Sequence, residues 1–202
     1  MIIKIVSAGP NGFKKLYHPD ADEFLVGVDG GIYNIVEKGL KVDLAVGDFD
    51  SCNIEEVIIH CSKVKFYPEK KDLSDLELAV QEVLPMKSDK IEIYNATGGR
   101  IDHFIAALNV IISYSDYNIE MFDERNHICI IRENTIFKKS KYKYCSFFAI
   151  ENDTIISLSG FKYQLNKYHL HPFDNRCLSN EIVQEEAQVT LNGKRLLVIE
   201  TL

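Results

Sequence analysis

Tryptophan, long apolar runs and any surplus of bases are what this 202-residue sequence lacks. Lys and Arg number 23 against 30 Asp and Glu, for a formal net charge of −7. That balance provides no cationic field for a phosphate backbone, which argues against a nucleic-acid role, and an anionic membrane surface would repel the chain. The first apolar run, Met1-Ile2-Ile3-Lys4-Ile5-Val6, is broken by Lys4. It is too brief for a signal core or a membrane span and reads instead as a first β-strand. The five cysteines, Cys52, Cys61, Cys129, Cys145 and Cys177, are odd in number and contain no CxxC pair. Reduced core thiols and a cytoplasmic location are therefore expected rather than a disulfide framework. A chain of this length buries roughly 70% of the surface its unfolded form exposes, so it needs no metal or disulfide to fold.

The negative charge is unevenly spread. Residues 1–134 carry 23 acids against 14 bases, whereas residues 135–202 carry 7 acids against 9 bases. The pattern of apolar residues changes near the same place. Up to about residue 123, short apolar runs at 2–7, 24–28, 44–46, 64–67, 90–94 and 118–122 alternate with amphipathic stretches at about 30–38, 53–61, 74–84 and 102–113. In the third stretch Leu76, Ala79, Val80 and Val83 fall on one helix face. Beyond that point, β-type runs at 127–131, 145–150, 155–157, 187–191 and 196–199 are separated by turn signals. Asn192-Gly193 between the last two predicts a hairpin. The fold class that follows is α/β: an N-terminal, mostly parallel sheet flanked by helices (residues 1–128), then a small all-β sandwich (residues 129–202).

Open α/β sheets bind ligands at the carboxyl ends of their strands, so the residues just after each predicted strand are informative. They are Asp29-Gly30-Gly31, then Gly47-Asp48-Phe49-Asp50-Ser51, then Lys71-Asp72-Leu73-Ser74-Asp75, then Thr97-Gly98-Gly99-Arg100-Ile101-Asp102-His103. Successive strands thus deliver carboxylates to one rim, an arrangement that is costly unless a cation sits among them. Hard oxygen ligands without His or Cys suit Mg²⁺ carrying a polyphosphate. Gly98-Gly99 before a helix can admit a phosphate to backbone N–H groups, and Arg100 offers a planar fork to its oxygens. Each element also has a structural reading. Ser74 and Glu77 match a capping box, Asp48 and Asp50 can form local turns, and Gly30-Gly31 can be an ordinary turn.

Taken together, these motifs resemble the thiamine pyrophosphokinase family. Gly160-Phe161-Lys162-Tyr163 and Ser179-Asn180-Glu181 extend the likeness into the β part. The resemblance implies transfer of diphosphate from ATP to the hydroxyl of thiamine, giving thiamine diphosphate and AMP. It also implies a homodimer with the active site at the subunit interface. By motif, Asp48, Asp50 and Asp75 would bind Mg²⁺, while Asp72, Asp75, Arg100 and Asp102 would carry catalysis. Asp29, Gly30, Gly31, Ser51, Lys71, Ser74, Thr97, Gly98, Gly99 and His103 would line the ATP and thiamine pockets, with Ser179 and Asn180 reaching in from the β domain. With no Trp in the chain, any stacking on thiamine falls to Tyr or Phe. Two rivals stand beside this reading: a catalytically silent nucleotide- or thiamine-binding module, and a phosphatase resembling the haloacid dehalogenase group. The latter places its Asp-x-Asp after the first strand, whereas Asp48-Phe49-Asp50 follows the third predicted one.

Overall fold

The computed structural model describes residues 1–10 and 12–202. The chain divides into two units, Met1–Glu124 and Arg125–Leu202. In the first, β1 (Ile2–Val6), α1 (Phe13–Leu16), β2 (Glu23–Val28), α2 (Gly31–Val36), β3 (Val42–Gly47), α3 (Ile54–His60), β4 (Cys61–Phe66), α4 (Asp75–Val83), β5 (Lys90–Tyr94), α5 (Ile101–Ser113) and β6 (Ile119–Phe122) follow one another. The strand order is β4-β3-β2-β1-β5-β6, and every pair with a described register is parallel. Ile3, Ile5, Val26, Val46 and Ile93 are buried in the central strands, each contributing about 1.5–3 kcal/mol of apolar burial. The predicted stripe of α4 faces inward: Leu76, Ala79, Val80 and Val83 are all buried. The helix begins where the Ser74 hydroxyl accepts the Glu77 N–H, the first half of a capping box. The other half is absent, because the Glu77 carboxylate instead accepts the Tyr114 hydroxyl of α5's C-cap.

One residue breaks the apolar pattern of the central strand. Lys4 is 1% exposed, with its ammonium 2.7 Å from both Asp20 Oδ2 and Glu23 Oε2. The same group donates to the His18 carbonyl and lies 4.7 Å from the centre of the Tyr17 ring.

The second unit contains β7 (Asn126–Ile131), β8 (Thr135–Lys138), β9 (Tyr144–Ala149), β10 (Thr154–Ser159), β11 (Leu165–Leu170), β12 (Glu186–Leu191) and β13 (Leu196–Thr201). Antiparallel sheets β7-β13-β9 and β11-β10-β12-β8 enclose a core that includes Phe147, Ile156, Phe161, Val189 and Val198. The unit starts four residues before the joint expected at 128/129, because β7 pairs along its whole length with β13.

The hairpin expected at Asn192-Gly193 does not form. β12 pairs with β10 and β8, whereas β13 pairs with β7 and β9. The turn therefore carries the chain from one sheet to the other, placing Val189 and Val198 in the same core. Asn192 anchors the crossing by accepting the Ile155 N–H and donating to the Asp153 carbonyl. Strands β8 and β11 and the single-turn α1 were not foreseen. β8 is only four residues long, adjacent exposed Asn166 and Lys167 break the alternation of β11, and the four residues of α1 are too few to show a helical period. Among the described residues no helix is long and apolar enough to cross a membrane.

Candidate active site

In the first unit the chain runs outward from β1 through β2, β3 and β4, then returns to the opposite side of β1 as β5. The loops after β1 and β5 diverge at this reversal and leave a crevice at the strand ends. A cleft of about 420 Å³ opens there. The segment after β1 (Ser7, Ala8, Gly9 and Pro10) forms one wall, while Gly98, Gly99, Arg100 and His103 form the facing one. Asp29, Ser51, Ser74 and Asp75 contribute from the β2, β3 and α4 side.

The β1 segment was not singled out in the sequence, since its importance depends on where the strand order reverses. Asn95 follows β5 directly. It adopts left-handed backbone at φ 60°, a conformation Asn tolerates well. Its buried side-chain oxygen accepts the N–H groups of both Gly12 and Phe13 at 2.8 Å. The Gly9 N–H donates to the Asn95 carbonyl, so the two walls are tied together at their base.

Three carboxylates gather beside the cleft. Asp29 sits at φ 46° directly after β2, strained backbone of the kind functional sites retain. Its Oδ1 is buried without a hydrogen-bond partner among the described residues and rests on Gly47, where an added Cβ would lie 1.8 Å from that oxygen. Burial first, then the charges of Asp75 and Asp48, push the Asp29 carboxyl up to about 6. Lys71 joins the group: its ammonium lies 3.4 Å from Asp48 Oδ2, 2.9 Å from Asp75 Oδ1 and 3.1 Å from the Pro68 carbonyl. Burial works against the Lys71 charge, but the two carboxylates outweigh it and hold the ammonium above its usual pKa.

The grouping differs from the expected metal set of Asp48, Asp50 and Asp75. Phe49 turns through left-handed backbone at φ 56° with its ring buried, which leaves Asp50 exposed at the rim, its N–H on Asp48 Oδ1. Asp29 takes the inner place. Among the described residues no three acidic, imidazole or thiol groups already converge as ligands. The donor chemistry nevertheless fits a hard divalent cation: carboxylate oxygens from the ends of β2 and β3 and from the start of α4, with Asp29 Oδ1 buried and without a hydrogen-bond partner among the described residues.

Other expected site residues have structural duties. An added Cβ on Gly31 would lie 1.9 Å from the Val6 carbonyl oxygen, so this glycine lets α2 pack onto β1. Gly30 is half-buried beside Ala8. The Thr97 hydroxyl donates to Asp123 Oδ2 at 2.6 Å. Gly98 and Gly99 both have positive φ, of 80° and 63°, and lead into α5. Among the described residues the N-cap Arg100 makes no side-chain cap hydrogen bond, which leaves N–H groups of the first turn available to an anion. Arg100 and Asp102, both exposed, face each other in a two-point pair at 2.5 and 3.2 Å. Asp72 is exposed on the loop before α4, and Ser74 lines the cleft while capping that helix.

In the second unit Ser179 is exposed, at φ 55°, with its N–H donating to the Ser146 hydroxyl. Asn180 is 2% exposed. Its amide oxygen accepts the N–H groups of Tyr163 and Glu181, and its amide nitrogen donates to the Tyr163 carbonyl. Asn180 thus clasps the Tyr163 and Glu181 segments.

Comparison with known proteins agrees with this layout. Residues 17–122 match the thiamin pyrophosphokinase catalytic domain family, and residues 133–196 match the thiamin pyrophosphokinase vitamin B1 binding domain family. The chain is 30% identical to a thiamine pyrophosphokinase of Bacillus subtilis over 209 aligned positions covering 98% of each chain. It is 24% identical to thiamin pyrophosphokinase 1 of Caenorhabditis elegans, over 88% of this chain and 79% of the relative. The crystal structure of thiamin pyrophosphokinase from Geobacillus thermodenitrificans superimposes with a TM-score of 0.88 at 29% identity, over 100% of this chain and 98% of that one. From its catalytic domain through its β domain, this chain belongs to the thiamin pyrophosphokinase family.

Proposed function

We propose that the protein is a thiamine diphosphokinase that transfers diphosphate from ATP to the primary hydroxyl of thiamine, releasing AMP and thiamine diphosphate. The observation that carries the reading is the juxtaposition of the Asp29, Asp48 and Asp75 carboxylates with the cleft that ends at Gly98-Gly99 and the uncapped start of α5. Asp29, Asp48 and Asp75 would hold Mg²⁺, with Asp50 at the exposed edge of the set. When bound, the ion supplies neutralisation of polyphosphate charge.

The residues of the chain do the rest. Gly98, Gly99 and the first N–H groups of α5 receive phosphate oxygens, and Arg100 exchanges Asp102 for phosphate, its fork suited to either partner. The thiamine oxygen attacks the β-phosphorus, the bond to the α-phosphate oxygen breaks, and the hydroxyl proton passes to a carboxylate. Asp72, exposed on the loop before α4, and Asp102, exposed in the first turn of α5, are the candidates for orienting that hydroxyl. Ser74, Ser51 and His103 complete the walls. The negative cluster also attracts the fixed positive charge of the thiazolium ring.

We further propose a homodimer in which Ser179, presented by the segment that Asn180 clasps, contributes to the thiamine side, and a cytoplasmic setting. Incubation with ATP, Mg²⁺ and thiamine tests the reaction. AMP formed mole for mole with thiamine diphosphate supports it, whereas ADP, free phosphate or no turnover overturns it.

A further inference from the structure

Lys71 shares its ammonium between Asp48 and Asp75, the same carboxylates proposed to hold the divalent cation, and is only 13% exposed. The pairing with Asp75 spans i and i+4 at the start of α4, so the backbone itself delivers the cation to this place. The third partner, the Pro68 carbonyl, belongs to the same loop. No other lysine or arginine is ion-paired to these two aspartates among the described residues.

We infer that Lys71 is a built-in counter-cation that guards the carboxylate set until metal and polyphosphate arrive together. The inference rests on the proposed reaction and concerns the order in which its charges are assembled. A divalent ion and an ammonium cannot share the same oxygens, because like charges a few ångströms apart repel strongly in a partly buried site. Metal alone must therefore break two ion pairs and leave the Lys71 ammonium without a counter-charge, held by the neutral Pro68 carbonyl. When a polyphosphate accompanies the metal, the ammonium swings on its flexible four-carbon stem to phosphate oxygens and keeps a counter-charge. Metal and polyphosphate affinities are then positively coupled, and by linkage each raises the affinity for the other. In the ligand-free protein the same ion pairs keep three neighbouring carboxylates from repelling one another unopposed.

The probe is Mn²⁺ alone, with free ion quantified by electron paramagnetic resonance and no nucleotide present. Lys71→Gln should bind Mn²⁺ about tenfold or more tightly than the wild type, a gain of about 1.4 kcal/mol or more, while losing thermal stability when metal-free. Lys71→Arg should retain the wild-type affinity, and adding Asp48→Asn to Lys71→Gln should abolish the gain. A merely structural lysine would give the opposite sign, weaker binding in a loosened site. Equal or weaker Mn²⁺ binding by folded Lys71→Gln overturns the inference.

A second measurement needs no variant: labelling of Lys71 by an amine reagent, followed by mass spectrometry of the wild type. Mn²⁺ should raise that labelling several-fold, and unchanged labelling at saturating Mn²⁺ overturns the displacement. Neither readout uses thiamine or turnover, so the AMP assay judges the reaction independently.

Discussion

Replacing Lys4 with Met removes a buried charge from the central strand β1 while nearly conserving volume. The ammonium lies 2.7 Å from each of Asp20 Oδ2 and Glu23 Oε2, and the Glu23 side chain is 17% exposed. Removing one partner of such a buried pair costs about 3–5 kcal/mol, because the remaining carboxylate is left uncompensated. At about 2–4 °C per kcal/mol for a chain of this size, the melting temperature falls by roughly 6–20 °C at neutral pH.

The pH dependence has a definite sign. Burial raises the Glu23 pKa, yet hydrogen bonds from Lys4 and Tyr17 outweigh it and hold the group below its ordinary value of 4.5. Its contribution is therefore in place above that ordinary value and is lost as pH falls through the depressed folded pKa. Lys4 has the complementary behaviour: its pKa is raised above 10.5 by Asp20 and Glu23 against the effect of burial, so its contribution persists until pH climbs through that range. The gap between wild type and Lys4→Met should be widest near neutrality. It should narrow toward about pH 4 as the orphaned carboxylate takes up a proton. Circular dichroism melts across this range measure it, and Lys4→Met/Glu23→Gln should recover part of the loss. A gap that does not change with pH, or a double variant no more stable than the single one, would refute the reasoning.

Gly31→Ala places a Cβ 1.9 Å from the Val6 carbonyl oxygen and should cost about 1–3 kcal/mol as α2 is forced off β1; an unchanged melting temperature would exclude that packing role. Asn180→Ala unpairs the N–H groups of Tyr163 and Glu181 and should cost about 1–3 kcal/mol in denaturant unfolding. A midpoint matching the wild type would show the clasp to be dispensable. Arg100→Lys keeps the charge but loses the fork, so kcat/KM for ATP should fall about tenfold, about 1.4 kcal/mol of transition-state stabilisation. Steady-state kinetics that leave this ratio intact would remove Arg100 from the phosphates.

The regular elements of the first unit were legible because their signals are local. A strand buried on both faces needs a continuous apolar run, and α4 needs its apolar stripe and a hydroxyl at Ser74. Residues whose function depends on position in the strand order were not legible in the same way. Asp29 carries the motif-like Asp-Gly-Gly, but nothing nearby in sequence shows that its carboxylate lies over Gly47 between Asp48 and Asp75. Thr97 and Asn180 read as ligand contacts from their motifs, and their partners, Asp123 and Tyr163, lie 26 and 17 residues away. The Asn192-Gly193 turn is a sound local signal, yet a turn fixes only a change of direction. Core packing decided that its two strands should enter different sheets.

By itself the sequence determined the α/β class, the all-β second part and the acidic rim, since apolar period and turn chemistry act over a few residues. Only the tertiary structure decided which carboxylates meet, that Lys71 lies between Asp48 and Asp75, and that the segment after β1 forms a wall of the cleft. Those outcomes depend on the reversal of strand order at β1 and β5 and on charges brought within 4 Å from distant loops. Electrostatic interaction at that range is set by distance through space, which spacing along a chain does not contain.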